Sequence, residues 1–334
     1  MLLAIDIGSR NIHIVEGEYH AKRFKIGRTV TTLTPGGAVI DGEIVNTDEI
    51  ITKLRNTLQK NKLNSKNVVF TVNPGSMTSR KFIIPNVKKT ETIPILQNEM
   101  ESIMNFSEPH IVDYTDAERT EEGTFSIEAV AISKEIIKQY FHIAKALRLK
   151  PKALDIHQNT VYKFILTCND IDYKNIIVTD IGNSYINTYL FRDRARVFAR
   201  RMLINTEQYE RTLVSLGKLR ALNEDFSLLN LSPRTLTNDP VLENTMTLYL
   251  SNIVDQLQRV MQFHMSMGTK GQVSQVSNIY LSGAMASMKG ITEYIQSYMD
   301  IPVQTIDHIA DPRVCRIDRL PEYLNAVGSL IRLD

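Results

Sequence analysis

Two aspartates open the same short phrase. Asp6-Ile7-Gly8-Ser9-Arg10-Asn11 and Asp180-Ile181-Gly182-Asn183-Ser184 each follow an apolar run, 174 positions apart. In each, the carboxylate falls where a strand emerges, and the glycine lets a ligand approach the backbone without a β-carbon in the way. The small polar residues after it offer N–H groups and hydroxyls to an anion. Two such turns on facing lobes suit a polyphosphate, with Asp6 and Asp180 holding a hydrated Mg²⁺ between them. A third phrase, Leu281-Ser282-Gly283-Ala284-Met285-Ala286, joins a strand to a helix and would bring a helix N-terminus against a nucleoside or phosphate. No rival constellation is present: the chain has no G-x-S-x-G elbow, H-E-x-x-H, Walker A sequence or G-x-G-x-x-G. Histidines 13, 20, 110, 142, 157, 264 and 308 show no metal-ligand spacing.

These phrases need strands and helices to hold them. Residues 2–6 and 12–16 read as a β-hairpin, followed by a Thr/Pro/Gly-rich loop from Thr31 to Gly42. A helix near 47–60 places Ile50, Ile51, Leu54 and Leu58 on one face. Val68–Val72 and Lys81–Pro85 read as strands. A helix over 91–104, strands near 110–114 and 125–132 and a helix over 134–148, N-capped by Ser133, form an α+β unit inserted into the first domain. The second half restarts with a strand from Lys174 to Asp180 and a return strand to Phe191. Further on come a long helix from Thr245 to Met267, a strand from Asn278 to Leu281 and a helix from Ser287 to Tyr298. One hairpin used twice implies two lobes of similar topology.

The 334 residues are enough for about two domains. Lys+Arg at 39 against Asp+Glu at 37 leaves +2, which excludes the overall basic balance of a nucleic-acid binder. Cys168 and Cys315 form no C-x-x-C pair, so a disulfide scaffold is excluded and a reducing, cytoplasmic setting is expected. Asp6 arrives too early for a signal-peptide apolar region, no stretch approaches a membrane span, and the segment Leu330–Asp334 is no amphipathic tail. Membrane contact is therefore expected through partners alone.

The three phrases together resemble those of the actin-like ATPase superfamily, which includes actin, sugar kinases and FtsA. Within it the chain is most similar to the PilM family of type IV pilus assembly proteins. Thr34-Pro-Gly-Gly-Ala-Val-Ile-Asp-Gly-Glu-Ile-Val45 is similar to that family's signature, as are Met104-Asn-Phe106 before Asp113-Tyr114, the stretch Ala131–Leu154, and Gln256–Phe263. The resemblance implies a two-lobed α/β actin-like (ribonuclease H-like) fold with an FtsA-type 1C, SHS2-like insertion. Subdomain 1A would span 1–79 and 151–177, 1C 80–150, 2A 178–205 and 270–334, and 2B 206–269. It implies a cytoplasmic scaffold, peripheral to the inner membrane, that binds the N-terminal peptide of a PilN-like membrane protein between 1A and 1C and contacts a PilB-like or PilT-like motor ATPase. It also implies ATP with Mg²⁺ at Asp6, Gly8, Ser9, Arg10, Asn11, His13, Asp180, Gly182, Asn183, Ser184, Tyr185, Arg259, Gly283, Ala284 and Met285.

The departures from the pattern fall in that nucleotide site. His13 stands where the family usually has a lysine, giving up a fixed cation. Tyr185 and Ile186 replace small hydroxyl residues, and Gly283-Ala284-Met285 replaces a Gly-Gly pair. Nucleotide binding and hydrolysis therefore stay open, with an active ATPase or kinase and an FtsA-like division filament as the alternatives. Asp155 falls roughly where actin-like ATPases place a water-orienting acid or amide, and equally suits a helix N-terminus. Arg259 can stack on a purine or pair with an acid. Arg192, Arg194, Arg196, Arg200 and Arg201 suit an acidic partner, an anionic lipid or plain solvent. Met261, Met265 and Met267 suit the core or a contact surface.

Overall fold

The computed structural model describes residues 1–120, 122–167, 175–204, 206–217, 239–266, 275–307 and 317–332. β1 (Leu2–Ile7) and β2 (Asn11–His20) form the expected hairpin, with Asp6 opposite His13, and β3 (Arg23–Leu33) extends it. The expected loop therefore begins later than Thr31. Beyond Leu33 it carries a small ribbon, β4 (Val39–Ile40) with β5 (Glu43–Ile44). α1 (Thr47–Lys60) starts at Asn46, whose side chain accepts the Glu49 N–H, and buries Ile50, Ile51, Leu54 and Leu58. β6 (Asn67–Val72) returns parallel to β1, placing Thr71 beside Asp6.

β7 (Thr78–Ile84), α2 (Lys89–Met104), β8 (His110–Arg119) and β9 (Phe125–Ser133) build a separate antiparallel sheet of order β7-β9-β8. α2 closes its core over Ile84, Val112 and Ile127 with Leu96 and Met100. α3 (Lys134–Ala146) is N-capped by Ser133 as expected. The sequence expectation put it inside the inserted unit, but its stripe of Ile136, Tyr140, Ile143 and Ala144 joins Leu54 and Phe70 in the first lobe's core. The helix packs where its apolar face finds the larger surface. β10 (Lys150–Ile156) then completes the first sheet, in the order β10-β6-β1-β2-β3, and runs into α4 (His157–Thr167).

The second lobe repeats this plan. β11 (Asn175–Ile181), β12 (Tyr185–Arg192) and β13 (Ala195–Leu203) form the antiparallel half of a sheet. α5 (Thr206–Ser215) and α6 (Pro240–Ser266) follow; β14 (Asn278–Ser282), α7 (Ile291–Gln296), β15 (Val303–Thr305) and α8 (Leu320–Ser329) complete the lobe, in the strand order β13-β12-β11-β14-β15. Asp180 faces Asn187 as Asp6 faces His13, and lies beside Ser282 as Asp6 lies beside Thr71. Lys174, Met267, Cys168, Cys315, His308 and positions 218–238 of the expected subdomain 2B lie outside the described residues. The helix expected over 287–298 is shorter. Ala284–Ser287 is a 3₁₀ turn, Gly290 takes a left-handed conformation at φ 85°, and α7 begins only after it.

α4 and α8 lie between the two sheets and share one core with them, in which Ala4, Val15 and Phe24 meet Val178, Tyr189 and Phe191 around Phe164, Leu324 and Val327. The helices cross closely: a β-carbon on Gly328 would collide with the Thr160 carbonyl. This helix pair sets how both lobes present their aspartates.

Arg192, Arg194 and Arg196, whose alternation would put them on one strand face, are instead divided by a hairpin turn. Asp193 and Arg194 make the hairpin turn with left-handed backbones, and the Arg196 side chain is buried against Glu128. Met261 packs on the second lobe's core, whereas Met265 is exposed.

Candidate functional site

The two aspartate phrases meet across one cleft at the ends of β1 and β11. The turns match in detail, with Gly8 N–H donating to the Asn11 carbonyl and Gly182 N–H to the Tyr185 carbonyl, both at 2.9 Å. Asp6, Gly8, Ser9, Arg10, Asn11, His13, Asp180, Gly182, Asn183, Ser184, Tyr185, Gly283 and Ala284 all line the cleft. A β-carbon on Gly283, which sits at φ 89°, would overlap the Asp180 carboxylate and the Ile181 backbone, so only glycine allows this approach.

Three expected residues lie elsewhere. Met285 is fully buried in the second lobe's core, because the 3₁₀ turn directs it inward. Arg259 is exposed on α6 and does not line the cleft. Asp155 is buried away from the cleft, where it accepts from Lys163 Nζ and Asn159 Nδ2, while Lys163 also donates to the Ile331 carbonyl at 2.8 Å. Asp155 is therefore a packing ion pair, with Arg332 3.6 Å from its carboxylate, and not a water-orienting acid.

The residue that reaches the cleft is His157, two positions on. Its Nε2 lies 2.8 Å from Asp6 Oδ1 and its Nδ1 3.7 Å from Asp180 Oδ2, so the imidazole bridges the two aspartates. Thr71 Oγ1 donates to Asp6 Oδ1 at 2.7 Å, Asn325 Nδ2 donates to Asp180 Oδ2 at 3.0 Å, and Thr160 Oγ1 holds Asn325 Oδ1 at 2.9 Å. Burial pushes the His157 pKa down, but the Asp6 charge and hydrogen bond, with the Asp180 charge, outweigh it and raise the value. Burial pushes Asp6 up, yet the His157 charge and hydrogen bond, with help from His13 and Thr71, hold it below its ordinary range. For Asp180 burial wins over His157 and Asn325, and its pKa rises. A cation at the N-terminus of α4 opposes the helix dipole, so it is the two carboxylates that favour the charged form of this imidazole. His13 contributes no charge: burial lowers its pKa to about 4 against the pull of Asp6.

Further contacts close the cleft from lobe to lobe. Ser9 and Ser184 hydroxyls meet at 2.7 Å, Asn73 Nδ2 donates to Asn187 Oδ1 at 2.9 Å, and Arg10 pairs with the buried Glu210. Arg201 donates to Asp41 Oδ1 at 2.6 Å while its guanidinium lies 3.3 Å above the Tyr185 ring. The space left is about 100 Å³, well below the ~300–1,000 Å³ of ligand pockets. Mg²⁺ with ATP does not fit this closed arrangement, since His157 takes the position between the carboxylates and the lobes touch where phosphates would pass. Among the described residues there is no group of three or more His, Cys, Asp or Glu side chains set to hold a metal.

His157, Asn325, Thr71, Asn73, Arg201 and Glu210 were not legible as site residues. The available signal was a polar Asn325 between the apolar residues Leu324, Ala326 and Val327, which marks a buried polar role.

A second concavity, about 570 Å³, lies between β10 and the inserted sheet. Ile111, Tyr114, Ile132, Ile137 and Leu154 line it together with Lys152, Asp155 and Arg332. Both β8 and β10 are end strands of their sheets and border it.

Twin sheets of one topology, joined by a helix pair around a two-aspartate cleft, define an actin-like ATPase fold. The chain is similar to a solved structure titled "PilM-PilN type IV pilus biogenesis complex", with TM-score 0.79 and 16% identity over 98% of this chain and 97% of that one. It is also similar to the ethanolamine utilization protein EutJ from Carboxydothermus hydrogenoformans (TM-score 0.55, 12% identity, 98% and 88% covered). A third is MreB5 of Spiroplasma citri bound to ADP (TM-score 0.52, 11% identity, 98% and 94% covered). Residues 4–318 match the family described as type IV pilus assembly protein PilM, and the chain belongs to that family.

Proposed function

We propose that this chain is a scaffold of the type IV pilus inner-membrane assembly platform, on its cytoplasmic side, and that it holds the N-terminal peptide of a PilN-like membrane protein in the groove between the first and inserted sheets. The observation that carries the reading is the pair of end strands bordering that groove. A strand at a sheet edge keeps a row of unpaired N–H and C=O groups, which an extended peptide can join. Ile111, Ile137 and Leu154 offer apolar contacts for alternate side chains of such a peptide, and Lys152 and Arg332 supply charge at the rim. Contact with a PilB-like or PilT-like motor ATPase rests on the family resemblance alone.

The cleft has a structural part in this reading. Its closed form leaves no room for ATP, so admitting nucleotide requires the lobes to part at Ser9–Ser184, Asn73–Asn187 and Asp41–Arg201. Hydrolysis is no part of the proposal. Calorimetric titration with a PilN-type N-terminal peptide tests it directly: saturable binding is expected, and Ile137→Arg should abolish it while the circular dichroism spectrum is kept. No heat from the wild-type chain, with or without Mg-ATP, would overturn the scaffold reading. A thermal-shift titration with Mg-ATP reports separately on whether the cleft opens.

A further inference from the structure

The two segments 55–66 and 145–152 contain Arg55, Lys60, Lys62, Lys66, Lys145, Arg148, Lys150 and Lys152, and no acid. The rest of the chain is acidic on balance, since the total is only +2. All eight cations are exposed, and among the described residues none has a carboxylate partner in an ion pair. The fold joins the segments, for the Lys150 N–H donates to the Lys66 carbonyl at 2.7 Å. Between them lies a cavity of about 670 Å³, bordered by Arg55, Lys62, Lys66 and Arg148 and floored by the buried Leu63 and Leu149. The nearby carboxylate of Glu16 accepts from the Asn64 and Ser65 N–H groups and the Ser65 hydroxyl.

The backbone adds an independent observation. α1 and α3 end in the same way. Leu63 N–H bonds to the Leu58 carbonyl and Lys62 N–H to that of Gln59; Leu149 N–H bonds to the Ala144 carbonyl and Arg148 N–H to that of Lys145. Both are Schellman motifs, whose left-handed residue is usually glycine. Here the left-handed positions carry Lys62 (φ 51°) and Arg148 (φ 55°). The helix dipoles do not need them, because Lys60 and Lys145 already occupy the last turns. Two strained cations rim one cavity, and strain kept in this way points to a site.

We propose that this face docks on an anionic membrane surface, with the cavity taking a phosphate-bearing lipid headgroup. The cations surround a concavity with a leucine floor, which admits a single headgroup but not a stiff duplex. Phe141, 60% exposed, stands one turn before Lys145 on α3 and gives the face an apolar side chain suited to the bilayer interface. Lys152 also lines the peptide groove, so a membrane-anchored peptide held there would keep the basic face toward the lipid. That last link rests on the proposed function; the charge and cavity do not.

Vesicle flotation without peptide is the test. The full chain should float with phosphatidylglycerol-containing vesicles at low ionic strength and not with pure phosphatidylcholine. Each basic residue near such a surface contributes roughly fivefold in affinity. Replacing Arg55, Lys62, Lys66 and Arg148 by Gln should therefore weaken binding by several hundredfold. The double variant Lys62→Gly/Arg148→Gly should weaken it by about 25-fold on the same scale, while its melting temperature stays level or rises as backbone strain is relieved. Unchanged flotation of either variant would overturn the proposal, as would absence of wild-type binding. So would retention of duplex DNA in place of vesicles, or equal competition by inorganic phosphate, which would assign the pocket to a free anion. Peptide calorimetry on the same protein separates failure here from failure of the scaffold reading.

Discussion

Removing the imidazole from between the aspartates should cost this protein about 3–5 kcal/mol, the usual consequence of deleting one partner of a buried ion pair. In His157→Ala, the Asp6 carboxylate loses its 2.8 Å contact and Asp180 its 3.7 Å one. The two carboxylates are then left facing each other with no cation between them, and their mutual repulsion adds to the cost. Protonation of Asp180, already favoured by burial, caps the loss. The pH dependence carries the sharper signature. The raised His157 pKa means that its stabilising contribution is fully present below about 6.5, the unfolded value, and is lost as pH rises through the folded pKa. The depressed Asp6 pKa acts in the opposite direction, its contribution being lost as pH falls through the folded value, below 3.8. Urea unfolding followed by far-ultraviolet circular dichroism between pH 5 and pH 9 reads the His157 effect, and the same measurement carried below pH 4 reads that of Asp6. Wild type should lose stability on the alkaline side, and His157→Ala should be less stable at pH 6 with a flatter profile. A loss under about 1 kcal/mol at pH 6, or parallel pH profiles for the two proteins, would refute the bridge as the element that holds the cleft.

Lys163→Ala leaves the buried Asp155 with its Asn159 hydrogen bond but no cation nearer than Arg332 at 3.6 Å, and should destabilise by about 3 kcal/mol in urea. The same variant should keep whatever nucleotide response the wild type shows in thermal shift, because Asp155 lies outside the cleft. Gly283→Ala forces a β-carbon against the Asp180 carboxylate and a left-handed backbone on alanine; a loss of more than about 2 kcal/mol by urea unfolding is expected. Ser133→Ala removes the acceptor for the Glu135 N–H at the start of α3 and should cost about 1 kcal/mol, read from the urea midpoint at unchanged slope.

Local pattern carried much of the architecture. The twin Asp-Ile-Gly phrases, the N-cap at Ser133 and the stripes of α1 and α3 are short-range features, and each formed where its periodicity placed it. Where the reading failed, a longer-range choice had decided. α3 laid its stripe on the first lobe's core as well as on Val130 and Ile132 of the insertion, and Met285 turned inward on a 3₁₀ segment too tight to present it. Asp155 and His157 show the difference most clearly. They lie two residues apart at the junction of β10 and α4, where a strand alternation gives way to a helical one. The sequence pointed to Asp155 and gave His157 no site role, because residue order does not say which of the two faces the cleft.

The repeat, the actin-like plan and the kinship with PilM proteins were set out by residue order alone, because backbone approach and apolar burial act within a few residues of each phrase. The state of the cleft was decided only by tertiary structure. Asp6, His157, Asp180 and Asn325 come from four distant segments, and their charges have meaning only at the separations that the α4 and α8 pair imposes. Electrostatic energy between buried groups depends on those separations and on the exclusion of water, and neither is written in the order of the chain.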